Sequence, residues 1–326
     1  MDNYAILLPV YNDWECVNHL LAEIDVLMSS NDINADVWII NDGSTIEPSF
    51  DDIIPTFHAL KKINIIQLSR NLGHQRGISI GLSYLSDNYD YPAVIIMDAD
   101  GEDKPEDVLK LIDAQENNPG DIIIAKRGKR HESILFKFLF YIYKIIFRFA
   151  SGQNIQNGNF CLIPRKRLKQ IVAMSEIWNH FSTGLHKSNI PKKLVLCERG
   201  KRYTGQSKMN FVSLIIHGLG SISIYIEIAG VRAIIASLSL MGVLFVVSCA
   251  VIYIRLFTNM SIPGWTTYTL GLLMVLIFQL FVVIVVFSFL ILSLRTSSDF
   301  IPIRDYKVFI LEVNDYSHST TSHQHL

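Results

Sequence analysis

Short apolar runs alternate with amphipathic stretches along residues 1–125. The runs are continuous and rich in β-branched residues, which is typical of parallel strands buried on both faces. The amphipathic stretches predict helices, and strands that alternate with helices predict an open α/β sheet with mostly parallel strands. The predicted strands are Tyr4–Leu8, Val37–Asn41, Ile63–Leu68, Ala93–Asp98, Asp121–Ala125 and Lys193–Glu198. The predicted helices are Trp14–Ser29, Gln75–Leu85 and Pro105–Asn117.

Longer apolar stretches dominate the chain after residue 130. Residues 133–150 and 209–230 predict interfacial amphipathic helices on a membrane surface, and burial in a protein core is the alternative for the first. Residues 233–257 and 268–294 are each long enough to cross a bilayer, and the short loop between them predicts a transmembrane hairpin. The predicted regions are 1–130, 131–232, 233–294 and 295–326.

Lys and Arg residues flank the predicted hairpin, whereas its loop, Thr258–Thr267, contains none. The positive-inside rule then places the N-terminal region and the C-terminal segment in the cytoplasm. The N-terminus lacks the pattern of a signal peptide, which agrees with this orientation. We therefore expect an integral membrane protein with two spans and both termini cytoplasmic. The flanking cations are Lys201, Arg202, Lys208, Arg232, Arg295, Arg304 and Lys307.

The composition of the chain narrows the class of protein. Of its 326 residues, 50% are hydrophobic and 18% are charged, against about 25% charged in an average soluble domain. This excludes a disordered chain, a collagen and a disulfide scaffold. The formal net charge of -1 gives no electrostatic reason to expect a nucleic-acid partner. The four cysteines lack C-x-x-C spacing, so we expect reduced, buried thiols and no zinc site.

Carboxylates cluster where the predicted strand Ala93–Asp98 ends. Asp98 and Asp100 follow the apolar run directly, and Glu102 and Asp103 come next. Ligands of open α/β sheets bind at the carboxyl ends of the strands, and carboxylates there suit Mg²⁺ or Mn²⁺ bridging to substrate phosphates. A solvated acidic turn is the alternative. For Asp103 we favour a capping role at the helix that begins near Pro105.

Together with this cluster, Pro9-Val10-Tyr11-Asn12-Asp13 and Ile39-Ile40-Asn41-Asp42-Gly43-Ser44 make the chain resemble the family 2 glycosyltransferases of GT-A fold. Ser69-Arg70-Asn71-Leu72-Gly73-His74 is similar to the branch that contains dolichyl-phosphate mannose synthases and bacterial polyprenyl-phosphate glucosyltransferases. The resemblance extends to Arg202–Lys208 and to the paired spans. It implies a Rossmann-like, mostly parallel sheet that binds a nucleotide-sugar within residues 1–130.

The resemblance also implies roles for individual residues. It assigns Asp98 and Asp100 to the metal and the diphosphate, with Glu102 as third metal ligand where the family usually has Gln. It places Ala99, between the two aspartates, among the residues that bind the nucleotide-sugar. It assigns Asp42 to the nucleotide base, and Pro9, Tyr11 and Asp13 to the base and ribose. Arg127 matches an arginine near the diphosphate and the acceptor phosphate, and Arg202 and Lys208 match a mobile basic loop. Attraction to anionic lipid headgroups is the alternative for these three cations.

The implied activity is inverting, metal-dependent transfer of a hexosyl group from a UDP- or GDP-sugar to a polyprenyl phosphate, undecaprenyl or dolichyl, at the cytoplasmic membrane face. A metal and basic side chains would stabilise the departing nucleoside diphosphate, and an anionic acceptor requires no strong general base. One departure bears on the acceptor. Polyprenyl-phosphate sugar synthases usually have Gly-Asp-Phe-Arg-Leu where this chain has Gly158-Asn159-Phe160-Cys161-Leu162.

Two alternative functions follow from that departure. Transfer to another glycolipid or a polysaccharide would need a general base, for which Asp103 is a candidate. A membrane scaffold without catalytic activity is the second alternative. The motifs do not encode the sugar or the nucleotide base.

A homo-oligomer, a dimer or a tetramer, is predicted from the C-terminal third of the chain. Small residues between Ala233 and Gly242 permit close contact between helices. The segment Phe300–Val313 is strand-like and would be left exposed on a monomer. The alternative is a monomer whose C-terminal segment folds back on its own domain.

Overall fold

The computed structural model describes residues 3–48, 57–127, 141, 143–145, 147–149, 151–152, 158–204, 211–258, 264–296 and 300–316. The chain divides into two compact units. We call residues 1–137, 155–224 and 299–326 the sheet unit, and residues 138–154 and 225–298 the hairpin unit.

An eight-stranded sheet organises the sheet unit. Its strands are β1 Asn3–Val10, β2 Asn34–Asn41, β3 Leu60–Leu68, β4 Ala93–Ile96, β5 Ile122–Arg127, β6 Cys161–Pro164, β7 Lys192–Cys197 and β8 Ile310–Asp315. They lie in the order β7-β5-β6-β4-β1-β2-β3-β8. The central strands β4, β1, β2 and β3 are parallel, whereas β6 and β8 run antiparallel to their neighbours.

Helices cover both faces of this sheet, and the resulting core has two layers. Alternate residues of one strand point to opposite layers, as Ile39 and Trp38 of β2 do, and both are fully buried. The helices of the sheet unit are α1 Trp14–Ser30, α2 His74–Asn88, α3 Pro105–Asn117, α4 Arg165–Val172, α5 Glu176–Asn179, α6 Phe181–Lys187, α7 Phe211–Ser223 and α8 Pro302–Asp305, with a 3-10 turn at Tyr306–Phe309.

The predicted α/β class and mostly parallel sheet are confirmed, and six of the eight strands lie where the apolar runs predicted them. The strand β6 was missed. It is only four residues long and continues directly into α4, so its apolar run is too short to stand out from a helix.

The strand β8 corrects an expectation about the C-terminal segment. We expected Phe300–Val313 to be exposed on a monomer, but β8 pairs antiparallel with β3 of the same chain. The side chain of Tyr306, just before β8, is 1% exposed and its hydroxyl donates to Asp87 Oδ2 at 2.9 Å. The segment therefore completes the sheet of its own chain and gives no reason to invoke a second subunit.

Two long helices, α9 Ile226–Phe257 and α10 Trp265–Thr296, pack against each other in the hairpin unit. Both are long and apolar enough to cross a membrane. Gly230 of α9 lies where a Cβ would be 3.0 Å from Ile291 Cδ1 of α10. The described residues between 141 and 151 are helical. Two apolar helices of this kind fit a membrane protein.

The start of α9 differs from the predicted division at residues 230–233. The stretch 209–230 contains α7 and then the first turns of α9, which begins at Ile226 and continues without a break into the predicted span. Arg232, near the start of α9, donates from Nη1 to the Phe149 carbonyl at 2.8 Å. Whether 133–150 and 209–230 lie on a membrane surface stays a prediction. Most of 133–150 and the whole tail 317–326 lie outside the described residues.

Candidate active site

The loops after β1 and β2 meet at the carboxyl edge of the sheet, because the two strands are parallel neighbours. Asn12 ties them together. Its backbone N–H donates to Ser44 Oγ at 2.9 Å, and its Oδ1 accepts from the N–H of Thr45 at 2.8 Å and of Ile46 at 3.1 Å. Asn12 has a φ of 55°, in the left-handed region that Asn tolerates better than most residues. Asn12 belongs to the motif after β1, but the sequence indicates no role for it.

Asp42, after β2, is buried and bound to the backbone of the next loop. Its Oδ1 accepts from the Leu72 N–H at 2.7 Å, and its Oδ2 accepts from the Gly73 N–H at 2.8 Å. Burial raises the pKa of Asp42 above its usual range, and these two N–H groups oppose the rise. Gly43 has a φ of 69°, and a Cβ there would lie 2.7 Å from the Asn71 nitrogen. Asp42 therefore positions the start of α2, and base recognition by Asp42 stays a prediction.

His74, the first residue of α2, lies beside the carboxylate cluster. Its Nε2 is 3.2 Å from Asp98 Oδ1 and 2.9 Å from Asn159 Nδ2. Desolvation of the imidazole lowers the pKa of His74, but the carboxylates of Asp98, Asp103 and Asp42 together outweigh that effect, so the pKa is raised above 6.5. The Asn159 departure from the family pattern thus lies within hydrogen-bond reach of this histidine. The only sequence signal for His74 was its place at the end of the Ser69–His74 motif.

Asp100 and Asp13 are linked by one guanidinium. Arg202 donates from Nη1 to Asp100 Oδ2 at 2.8 Å and from Nη2 to Asp13 Oδ2 at 2.7 Å. Burial raises the pKa of Asp100, and the neighbouring Asp98 and Glu102 carboxylates add to the rise. The structure thus brings together three residues that the family resemblance assigned to the nucleotide-sugar and its metal. They come from loops that are far apart along the chain.

Glu102 and Asp103 face other partners than the sequence suggested. Glu102 Oε2 accepts from Arg199 Nη2. Asp103 is 2% exposed and accepts the Asp98 N–H on its Oδ2 at 2.9 Å, so it braces its own turn. The N-cap of α3 is Lys104, which makes no side-chain cap hydrogen bond. The expected helix cap at Asp103 is therefore wrong.

The remaining predicted residues lie at the same edge of the sheet or outside the described residues. Pro9 lies near the end of β1, Tyr11 is 40% exposed and Ala99 is buried. Arg127 ends β5, which runs parallel to β4 across the antiparallel β6, and its side chain is outside the description. Lys208 lies outside the described residues altogether.

The carboxylates of this site can be compared with the ligands that a divalent cation requires. Among the described residues, no group of three or more His, Cys, Asp or Glu side chains is arranged to hold a metal ion. Mg²⁺ is commonly held by one or two carboxylates and completed by substrate phosphates and water, so Asp98 and Asp100 at the end of β4 fit such a cation in type and number. Glu102, the predicted third ligand, faces Arg199.

A known family matches the part of the chain that contains the carboxylates of this site. The sequence profile of the family described as Glycosyl transferase family 2 matches residues 5–173, which include most of β1, all of β2 to β6 and the whole carboxylate cluster.

Individual proteins are also similar to this chain. An uncharacterized glycosyltransferase of Bacillus subtilis, YkcC, is 28% identical over 272 residues, which are 81% of this chain and 81% of that protein. The undecaprenyl-phosphate 4-deoxy-4-formamido-L-arabinose transferase of Salmonella choleraesuis is 25% identical over 149 residues, 46% of this chain and 44% of that protein. A crystal structure of Mycobacterium tuberculosis glucosyl-3-phosphoglycerate synthase, in complex with Mn²⁺, UDP-glucose and phosphoglyceric acid, covers 70% of this chain and 80% of its own with a TM-score of 0.48 and 10% identity.

Proposed function

The chain belongs to glycosyl transferase family 2, and from that premise we propose that it is an inverting, metal-dependent enzyme that transfers a hexosyl group from a UDP- or GDP-sugar to a polyprenyl phosphate. The observation that carries the proposal is the contact of Arg202 with both Asp13 and Asp100 at the carboxyl edge of the sheet. It joins the loop assigned to the nucleoside to the loop assigned to the diphosphate.

The site residues would stabilise the negative charge that develops on the leaving group during transfer. A departing nucleoside diphosphate gains negative charge, and the Arg202 guanidinium, which lies beside Asp100, would stabilise that charge. Asp98 and Asp100 would hold the divalent cation, which supplies further positive charge to the diphosphate when it is bound. Arg127 and Lys208 are proposed phosphate ligands on the resemblance alone.

A polyprenyl phosphate acceptor is supported by chemistry and by a relative. The Salmonella relative is by its name an undecaprenyl-phosphate transferase. The apolar hairpin would keep the enzyme at the bilayer that contains such a lipid. A phosphate acceptor is anionic at neutral pH and needs no strong base, which agrees with a site whose Asp103 is buried and bound to the Asp98 N–H.

That burial also weighs against the alternative acceptor. Transfer to a hydroxyl of a glycolipid or polysaccharide needs a general base within reach of the hydroxyl. Asp103, the candidate from the sequence, is 2% exposed. The Asn159 amide beside His74 is the observation that keeps the alternative open to experiment.

We further propose two spans with the sheet unit and the C-terminus in the cytoplasm, following the distribution of Lys and Arg. A homo-oligomer, dimer or tetramer, remains a proposal for the hairpin helices. Its other basis, an exposed C-terminal segment, is removed by the pairing of β8 with β3.

Membranes containing the protein, incubated with labelled UDP- and GDP-sugars, test this function. A sugar on a lipid phosphate is released by mild acid, whereas an ordinary glycolipid resists. We expect an acid-labile product that Asp100→Ala abolishes in a folded protein, while Asp113→Ala, at an exposed position of α3, retains full activity. An acid-stable product would favour the alternative acceptor, and full activity of Asp100→Ala in EDTA would contradict the proposal.

A further inference from the structure

The segment Arg199–Thr204 docks on the turn that carries the metal-binding carboxylates. The Gly200 N–H donates to the Glu102 carbonyl at 2.9 Å, and the Tyr203 N–H donates to the Asp100 carbonyl at 3.0 Å. An antiparallel bridge between Asp103 and Arg199 continues this pairing. The backbone contacts fix where each side chain of the segment can reach.

Two glycines show how closely the backbones approach. A Cβ on Gly200 would lie 2.1 Å from the Gly101 carbonyl oxygen. Gly101 has a φ of 88°, and a Cβ there would lie 2.6 Å from the ring of Tyr203. That ring is held in turn, because the Tyr203 hydroxyl donates to Glu23 Oε2 at 2.6 Å. The segment therefore has a defined position against the turn.

The two arginines of the segment form ion pairs with different carboxylates. Arg202 contacts Asp100 and Asp13, as described above. Arg199 contacts Glu102, and the two side chains are only 20% and 25% exposed. A charge-assisted hydrogen bond between partly buried groups holds both in one geometry. Glu102 is thus held by Arg199 at the point where the sequence suggested a metal ligand.

We propose that Arg199 is a positioning residue that holds the Glu102 carboxylate away from the divalent cation, leaving Asp98 and Asp100 as the protein's two ligands. Asp100 also contacts an arginine, but Arg202 is divided between Asp100 and Asp13 and can stay paired with Asp13 when the cation binds Asp100. The ion pair of Arg199 is with Glu102. The physical reason is charge. A third free carboxylate would repel the anionic diphosphate that must enter this site, and Arg199 cancels it. The inference rests on the proposed function, since it concerns the cation of that same site.

Mn²⁺ binding to the full-length, nucleotide-free protein tests the inference, with free Mn²⁺ measured by electron paramagnetic resonance. We expect Glu102→Ala to bind Mn²⁺ within about twofold of the unsubstituted protein, because Glu102 is not a ligand. Alanine is used because a glutamine at this position could itself bind the ion. Arg199→Gln releases Glu102 toward the ion and tightens binding about tenfold, since charge count tunes such sites. The double variant Arg199→Gln/Glu102→Ala returns to about the original affinity. Lys201→Gln, an exposed position in the same segment, is the matched control and changes nothing.

The outcomes separate this inference from the proposed function. If Asp100→Ala abolishes Mn²⁺ binding and Glu102→Ala weakens it about tenfold, the cation site stands and the inference is wrong. If the unsubstituted protein binds no Mn²⁺, the metal-dependent function fails and the inference fails with it. Thermal unfolding of each variant shows whether it is folded. Should Arg199→Gln fail to fold, the Glu102→Ala measurement decides alone.

Discussion

The exposure of apolar side chains differs between the sheet unit and the hairpin unit. Leu7 and Ile39, in the central strands, are fully buried. Leu272, Phe278 and Phe289, in α10, are 68%, 65% and 69% exposed. An exposed apolar surface of this length is unfavourable in water and favourable in a bilayer. The sheet unit buries these apolar side chains within itself. The long helices of the hairpin unit expose theirs, so they need an apolar environment outside the unit.

Polar contacts differ between the units in the same sense. In the sheet unit they join segments that are distant along the chain, as Arg202 and Asp13 do. In the hairpin helices Ser239, Ser248 and Ser288 each donate to the carbonyl four residues earlier on the same helix. A hydroxyl satisfied within its own helix needs no partner from the surroundings, which is the requirement inside lipid. These serines of the two long helices are therefore satisfied within their own helices, whereas the position of Arg202 depends on a contact between distant segments.

Removal of residues 300–326 should have the largest effect, and it should fall on the sheet unit alone. It deletes β8 and the fully buried Tyr306, and loss of one buried aromatic side chain costs about 3–5 kcal/mol. We expect the free energy of unfolding of the sheet unit to fall by at least that amount, measured by denaturant titration in mild detergent. Removal of 317–326 only, which spares β8, is the control and should change nothing. Equal stability of both truncations would show that β8 is dispensable.

A matched pair of leucines tests the comparison directly. Leu7→Ala removes a side chain with 0% exposure, and should lower the free energy of unfolding by about 3 kcal/mol. Leu272→Ala, at 68% exposure, should change it by less than about 0.5 kcal/mol. The same titration measures both. If Leu272→Ala is as costly as Leu7→Ala, the outer face of α10 is packed against protein, and a mass measurement in mild detergent should then find an oligomer.

A matched pair of glycine substitutions compares the stability cost of a Cβ in the turn at Gly101 with that of a Cβ in the long helix α9. Gly101→Ala combines a φ of 88° with a collision against Tyr203, and should cost about 1–2 kcal/mol. Gly242→Ala, in α9, meets nothing within 4 Å and should be neutral or slightly stabilising. Thermal unfolding in detergent compares the two. A neutral Gly101→Ala would mean that Arg199–Thr204 is not docked as closely as the structure has it.

The smallest effect is expected at Asp87, which receives the Tyr306 hydroxyl and lies 3.1 Å from Lys307 Nζ. Hydrogen bonds from Lys307 and Tyr306 lower the pKa of Asp87 below 3.8. A lowered pKa in the folded state contributes stability above pH 3.8, and that stability is lost as the pH falls through the lowered value. Solvent screens this exposed pair, so Asp87→Asn should cost under about 1 kcal/mol at pH 7. Once the pH lies below the lowered pKa, the variant and the original should converge, and a constant difference would contradict the assignment.

The sequence determined the parts of this protein that depend on local pattern. Continuous β-branched runs identified the central strands, because a parallel strand buried on both faces needs apolar residues at every position. Length and lack of charge identified the two long helices in the same way. The Asp98 to Glu102 cluster was recognisable because it follows such a strand directly, and a parallel strand must end at the ligand-binding edge.

The tertiary structure decided which of these groups meet. Nothing local in the chain pairs Arg199 with Glu102 or Asp42 with the Leu72 and Gly73 N–H groups, because those contacts depend on how loops from different strands approach one another. The same holds for β8, whose strand character was visible in the sequence but whose partner was not. The residue pattern of a segment indicates how much of the segment is buried. Which strand or loop lies beside it is decided by the arrangement of the whole sheet.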